Sequence, residues 1–127
     1  MMDEWRNARV DEMLDYIHPD AEHIVHVDGD VVPQLASVSG RENMRQRFEF
    51  LSGHFHIEAF DIDTLIETDN HLRSIISYRY SHKQTSERIE STIRLELVWD
   101  KDAFVRVEEF VDAPIVEAFL RITGEIS

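Results

Sequence analysis

The residues of this chain best suited to chemistry are a glutamate and a histidine. Glu109 lies in Val105-Arg106-Val107-Glu108-Glu109-Phe110-Val111-Asp112. At the two-residue period of a strand it shares a face with Val105, Val107 and Val111. A carboxylate among valines suits a general base. The alternative is a group near a cavity mouth, solvated or paired with an arginine. His23 has the parity of Val25 and Val27 in His23-Ile24-Val25-His26-Val27-Asp28. It could act as an acid–base partner, hydrogen-bond Glu109 across a pocket, or pack as an imidazole satisfied by backbone.

The other histidines raise the question of a metal. His26 has the opposite parity to His23, so the two cannot chelate one ion from a regular strand. His54-Phe55-His56 has better spacing, because i and i+2 share a strand face, while Asp61 and Asp63 fall on the other parity. A chain with seven His makes such a pair easily by chance, and no metal or cofactor is assigned. Tyr78 and Tyr80 could donate hydrogen bonds to a ligand carbonyl or simply pack, and Trp99 carries the same ambiguity. There is no Cys, so no thiolate ligand or cysteine nucleophile. No phosphate loop, nucleophile elbow or serine signature is present.

The elements that must position these groups follow from periodicity. Val10, Met13, Leu14 and Ile17 form a helical stripe, predicting a helix over about Asp3–Ile17 that Pro19 ends. His23–Asp28 reads as a strand. Gly40 precedes a helix over about Arg41–Ser52, with Met44, Phe48 and Leu51 on one face and Gly53 as its left-handed cap. Phe55–Thr68, Leu72–His82, Arg88–Trp99 and Phe104–Asp112 are long strands joined by short polar turns, which requires an antiparallel meander. A last helix covers about Pro114–Ile122. Strands this long twist strongly, and helices must cover the apolar face. A curved sheet closed by helices leaves a pocket at its open end.

Composition bounds the rest. The chain has 127 residues, 43% hydrophobic and 31% charged, which predicts one globular domain over residues 1–127. Thirteen Lys+Arg against 26 Asp+Glu give a net charge of −13, which argues against nucleic acid and anionic membranes as partners. The opening Met1-Met2-Asp3-Glu4 is acidic, unlike a signal or transit peptide, so the expected location is cytoplasmic.

The element order resembles the NTF2-like superfamily, in its SnoaL-like and ketosteroid-isomerase-like branch. Met13-Leu14-Asp15-Tyr16-Ile17-His18-Pro19-Asp20-Ala21 resembles that group's helix end and step into its first strand. Gly40-Arg41-Glu42-Asn43-Met44 resembles its glycine and following helix, and Val105–Asp112 its last strand. The resemblance implies an α+β, cone-shaped fold: a strongly curved antiparallel sheet around two or three helices, with an internal pocket, usually dimeric. The first helix would be short or partly missing, and the pocket more open or plugged by a partner, since Met1 falls well inside that helix. The isomerase's oxyanion tyrosine would fall near Met1, its base near Val25 and its second acid near Leu95, so that set is missing. Two of the three limonene-epoxide-hydrolase groups would fall near Ile93 and Leu95 and are also apolar. The cyclase's acid falls at Glu109.

The pocket is therefore expected to hold Glu109 and His23, with Val25, Ile76, Tyr78, Tyr80, Leu95, Leu97, Trp99 and Val107 as lining. Two readings stand. One is a cofactor-free cyclase, isomerase or dehydratase acting on a small apolar carbonyl compound. The other is a non-catalytic ligand-binding or dimerisation module. On the outward face, Arg73, Arg79, Arg94 and Arg106 alternate with Glu96 and Glu108 beside Ile75, Val98 and Phe110. That pattern suits either cross-strand ion pairs or a homodimer interface, and the resemblance favours the homodimer.

Overall fold

A computed structural model describes all 127 residues, Met1–Ser127. Two short helices, α1 (Met2–Arg6) and α2 (Val10–Leu14), lead into β1 (Ile17–Val25). A 3-10 turn at Pro33–Leu35 and a two-residue strand β2 (Val38–Ser39) precede α3 (Arg41–His54). Then come β3 (Phe55–Thr68), β4 (His71–His82), β5 (Arg88–Asp100), β6 (Ala103–Val111) and α4 (Ala113–Ile122). The six strands form one curved sheet in the order β2-β1-β6-β5-β4-β3, with the helices on its concave face. No helix is long and apolar enough to cross a membrane.

The antiparallel meander of β3 to β6 is as expected, but the whole sheet is mixed. β1 runs parallel to β6, with His23 opposite Val107 and Val25 opposite Glu109. The chain between them is long enough to allow a crossover, which a parallel pair needs. β1 also starts six residues earlier than predicted. Pro19 sits inside it, where the β1–β6 register shifts between Ile17 and Glu22 and no ladder N–H is missed.

The single helix expected over Asp3–Ile17 is broken. Ala8 has a φ of 57°, which separates α1 from α2. At about 100° per residue, Trp5 on an unbroken helix would stand about 140° round from Val10. The break lets Trp5 join Val10, Met13 and Leu14 in the core, edge-on to Phe48 at 5.1 Å. Gly53 is not a cap. α3 runs through it to His54, and Phe55 is already extended at φ −128°, so no left-handed turn is needed.

Gly40, by contrast, carries a backbone requirement. It caps α3 at φ 94° and ψ 137°, and its N–H donates to the Ala21 carbonyl at 2.8 Å. A Cβ there meets nothing closer than 4.0 Å, so the penalty is conformational rather than steric. Gly40→Ala is expected to destabilise the protein by about 1–3 kcal/mol. A urea midpoint equal to wild type would disprove this strain.

The α4 N-terminus is set by Asp112, whose Oδ1 accepts from the Ile115 N–H at 3.4 Å, and by Pro114 in the first turn. Val116, Phe119 and Leu120, at i, i+3 and i+4, turn inward. The far end of the β3–β4 hairpin projects beyond the helices, leaving Ile62, Leu65 and Ile66 exposed.

Candidate functional site

Helices α1 to α4 do not fill the concave face completely. A cavity of about 130 Å³ remains, lined by 25 residues, of which 23 are hydrophobic. The two exceptions are His23 and Glu109. Parallel pairing makes them diagonal neighbours on the concave side of β1 and β6, two residues out of step. His23 Nε2 and Glu109 Oε2 are hydrogen-bonded. His23 is fully buried, whereas Glu109 keeps 20% of its side-chain surface exposed.

A third charged group completes this arrangement. Arg47 lies on the buried face of α3 between Met44 and Phe48. Its Nη1 donates to His23 Nδ1 at 3.2 Å, its Nε donates to the Gln34 carbonyl at 3.1 Å, and its Nη2 donates to the Ala36 carbonyl. Burial pulls the guanidinium below its ordinary value, and the charge of Glu109 opposes that shift. Because Arg47 is a donor, the network assigns the lone pair of His23 to Nδ1 and the proton to Nε2. That proton points at Glu109. The second oxygen of Glu109 makes no hydrogen bond.

Arg47 was not among the residues singled out from the sequence. The signal was present: it stands at i+3 from Met44 and i−1 from Phe48, a charge inside an apolar stripe. The loop carbonyls that hold it lie 13 and 11 residues away in the chain, so periodicity gave no hint of its partners.

The aromatic wall of the cavity includes Tyr78 and Tyr80, with ring centroids 4.8 Å apart. Trp5 Nε1 donates to the Tyr80 hydroxyl at 3.0 Å, leaving the Tyr80 O–H free to donate onward. Burial pushes the Tyr78 phenol up to about 12, against a smaller opposing pull from Ser91, and burial also raises Tyr80. Both phenols therefore remain protonated donors across the neutral range. Since folding favours the protonated form, this stabilisation is complete below the ordinary phenol value of 10.0 and is lost as pH rises toward 12. Chemical denaturation midpoints should hold steady to about pH 9 and then fall, with a shallower fall in Tyr78→Phe. An equal fall in that variant would remove Tyr78 as the cause.

Val25, Ile76, Leu95 and Val107 line the cavity, but two expected lining residues do not. Leu97 is fully buried where side chains fill the interior beyond the cavity. Trp99 lies against Phe104 in a shallow outer depression with Tyr16 and Leu72. The register breaks between Val98, opposite Arg106, and Trp99, opposite Phe104. Val105 is the extra residue of that bulge, so it too leaves the inward row. Met1, together with Met2 and Trp5 of α1, closes part of the cavity.

His54 and His56 do not share a strand face, because His54 ends α3. On the convex side, His26 pairs with Glu108 at 2.6 Å and stacks on Phe110 at 4.1 Å. Arg94 covers the same ring at 3.9 Å. Arg73, Arg79, Arg94 and Arg106 all reach carboxylates within the chain.

No family model matches the chain, and no curated protein does. Solved structures do. A Rhodopseudomonas palustris protein provisionally described as an isomerase superposes with a TM-score of 0.82 at 12% identity, over 94% of this chain and 90% of that one. An NTF2-like protein of unknown function from Burkholderia pseudomallei gives 0.78 at 10%, over 96% and 90%. A Xanthomonas campestris protein provisionally described as a polyketide cyclase gives 0.72 at 12%, over 85% and 82%. The chain thus has the cone-shaped α+β fold of NTF2-like, SnoaL-like and ketosteroid-isomerase-like proteins.

Proposed function

We propose that this protein is a cofactor-independent acid–base enzyme of the isomerase, cyclase or dehydratase kind, acting on a small, largely apolar carbonyl compound. The observation that carries this reading is the carboxylate of Glu109 at an apolar cavity, one oxygen engaged by His23 and the other without a partner. A carboxylate held beside the reacting carbon can act as a general base. The free oxygen takes a proton from the carbon beside the substrate carbonyl. The C–H electrons move into an enolate, and a Tyr78 or Tyr80 hydroxyl donates to its oxygen. His23, whose tautomer Arg47 holds, keeps the carboxylate in place. The enolate then takes the proton back from Glu109 at another carbon, or expels a β-hydroxyl that Glu109 protonates to water, or attacks a second carbonyl whose oxygen Glu109 protonates. These outcomes are isomerisation, dehydration and cyclisation. The provisional descriptions of two fold neighbours fall within the same group.

The volume limits the substrate. A cavity of about 150 Å³ holds benzene, so one of this size admits about one ring without rearrangement. The test is hydrogen–deuterium exchange at the α-carbon of 2-cyclohexenone and cyclopentanone, followed by proton NMR in D2O. Saturable exchange above that given by an equal concentration of acetate is expected. Binding of both probes with no such exchange would overturn the enzymatic reading and select a small-molecule-binding module instead.

The outward sheet face is proposed as a homodimer interface. Phe110, held between Arg94 and His26, offers a flat apolar centre ringed by paired charges. Sedimentation should give twice the chain mass of 14.9 kDa, and Phe110→Glu should give the chain mass alone. A wild-type monomer at micromolar concentration would exclude the interface.

A further inference from the structure

Away from the cavity, three elements bring together a second cluster of titratable side chains. His54 is the last residue of α3, His82 the last of β4, and Glu125 follows α4. His54 Nδ1 and His82 Nε2 each lie 2.8 Å from the same oxygen, Glu125 Oε1. One potential ligand atom from each residue lies within 4.8 Å of both others. Other contacts already fix the frame. Gln34 Nε2 donates to the Glu125 carbonyl at 2.7 Å, and Phe55 packs on the His82 ring at 5.3 Å. His82 is 3% exposed and Glu125 13%, whereas His54 is 46% exposed.

We infer that His54, His82 and Glu125 form a binding site for one divalent transition-metal ion of the zinc class. Two imidazoles and a carboxylate are borderline-soft N/O donors of the kind that hold zinc, with an exposed side left for water. Zinc–ligand bonds of about 2.0–2.2 Å hold tetrahedral donor atoms about 3.3 Å apart. The present N···O separations of 2.8 Å need to open only slightly to admit the ion. Burial raises the Glu125 carboxyl, but hydrogen bonds from His82 and His54 outweigh it and hold the group below its ordinary value.

The protons balance without a net release from neutral imidazoles. In the metal-free form His82 Nδ1 accepts from the Thr85 N–H at 3.1 Å, so its proton is on Nε2. Loading moves that proton to Nδ1, where Thr85 Oγ1, also 3.1 Å away, is the acceptor in reach. The Thr85 N–H must then yield its partner, a penalty that limits affinity. His54 likewise shifts its proton to Nε2. Bound metal would tie the end of α3 and the end of β4 to the segment after α4.

The experiment uses the untagged, chelator-treated full chain, titrated with Zn²⁺ by calorimetry and with Co²⁺ by absorption spectroscopy. One equivalent of Zn²⁺ should bind, the melting temperature should rise, and Co²⁺ should give the intense visible bands of a tetrahedral site. His54→Ala and Glu125→Gln should each weaken binding by about tenfold or more, since even supporting residues contribute about 10–100-fold. His56→Ala, on a neighbouring exposed residue, should leave it unchanged. Absence of binding at about 100 μM Zn²⁺ would overturn the inference. Equal affinity in wild type, His54→Ala and Glu125→Gln would overturn it as well.

Discussion

Glu109→Gln is expected to reduce α-proton exchange of the cyclic ketone probes by about 10²–10⁴-fold, the range for loss of a positioned general base. The amide has nearly the shape of the carboxylate, and its oxygen can still accept the His23 Nε2 proton. The cavity lining is untouched, so binding of 2-cyclohexenone and the melting temperature should stay close to wild type. Loss of exchange together with loss of folding would indicate a structural role. Undiminished exchange in a folded variant would remove Glu109 as the base and the proposed mechanism with it.

Arg47→Met should give a larger stability loss than Gly40→Ala. The substitution keeps an unbranched apolar stem in the helix face but removes every donor. The Gln34 and Ala36 carbonyls and His23 Nδ1 then lose their partner inside the protein. Each unsatisfied buried group is worth about 1–3 kcal/mol, and breaking a buried charged cluster from one side typically removes about 3–5 kcal/mol. Against a total of about 5–15 kcal/mol that is a large share, and a fall in melting temperature of about 10 °C or more should follow. Arg47→Lys separates packing from tautomer control, since a single ammonium cannot serve three acceptors from one plane. Nitrogen-15 shifts of His23 should show the Nε2–H form in wild type and a mixture in Arg47→Lys. A melting temperature for Arg47→Met within about 2 °C of wild type would show that water replaces the guanidinium without penalty.

Much of the architecture was legible because it depends on local rules. The meander from Phe55 to Val111 follows from apolar alternation and turns too short for anything but antiparallel return. The inward parity of Ile76, Tyr78, Leu95 and Val107 follows from the same period of two. The bulge at Val105 was not visible, because one unpaired residue alters neither composition nor period. It turns Trp99 and Phe104 toward the outside depression. The helix break at Ala8 was hidden for a different reason: alanine favours helix, and only the core's demand for Trp5 overrides it.

The sequence by itself determined the mixed class, the long strands, the covering helices and the parity that turns His23 and Glu109 toward the interior. These depend on which neighbours within a few residues are apolar, and that information is local. Tertiary structure decided which of those residues meet. The parallel register of β1 on β6 joins His23 to Glu109 across 86 positions, α3 supplies Arg47, and the ends of α3 and β4 with the segment after α4 gather His54, His82 and Glu125. Such meetings depend on how a curved sheet and its helices share one core. The spacing of residues along the chain has no term for that.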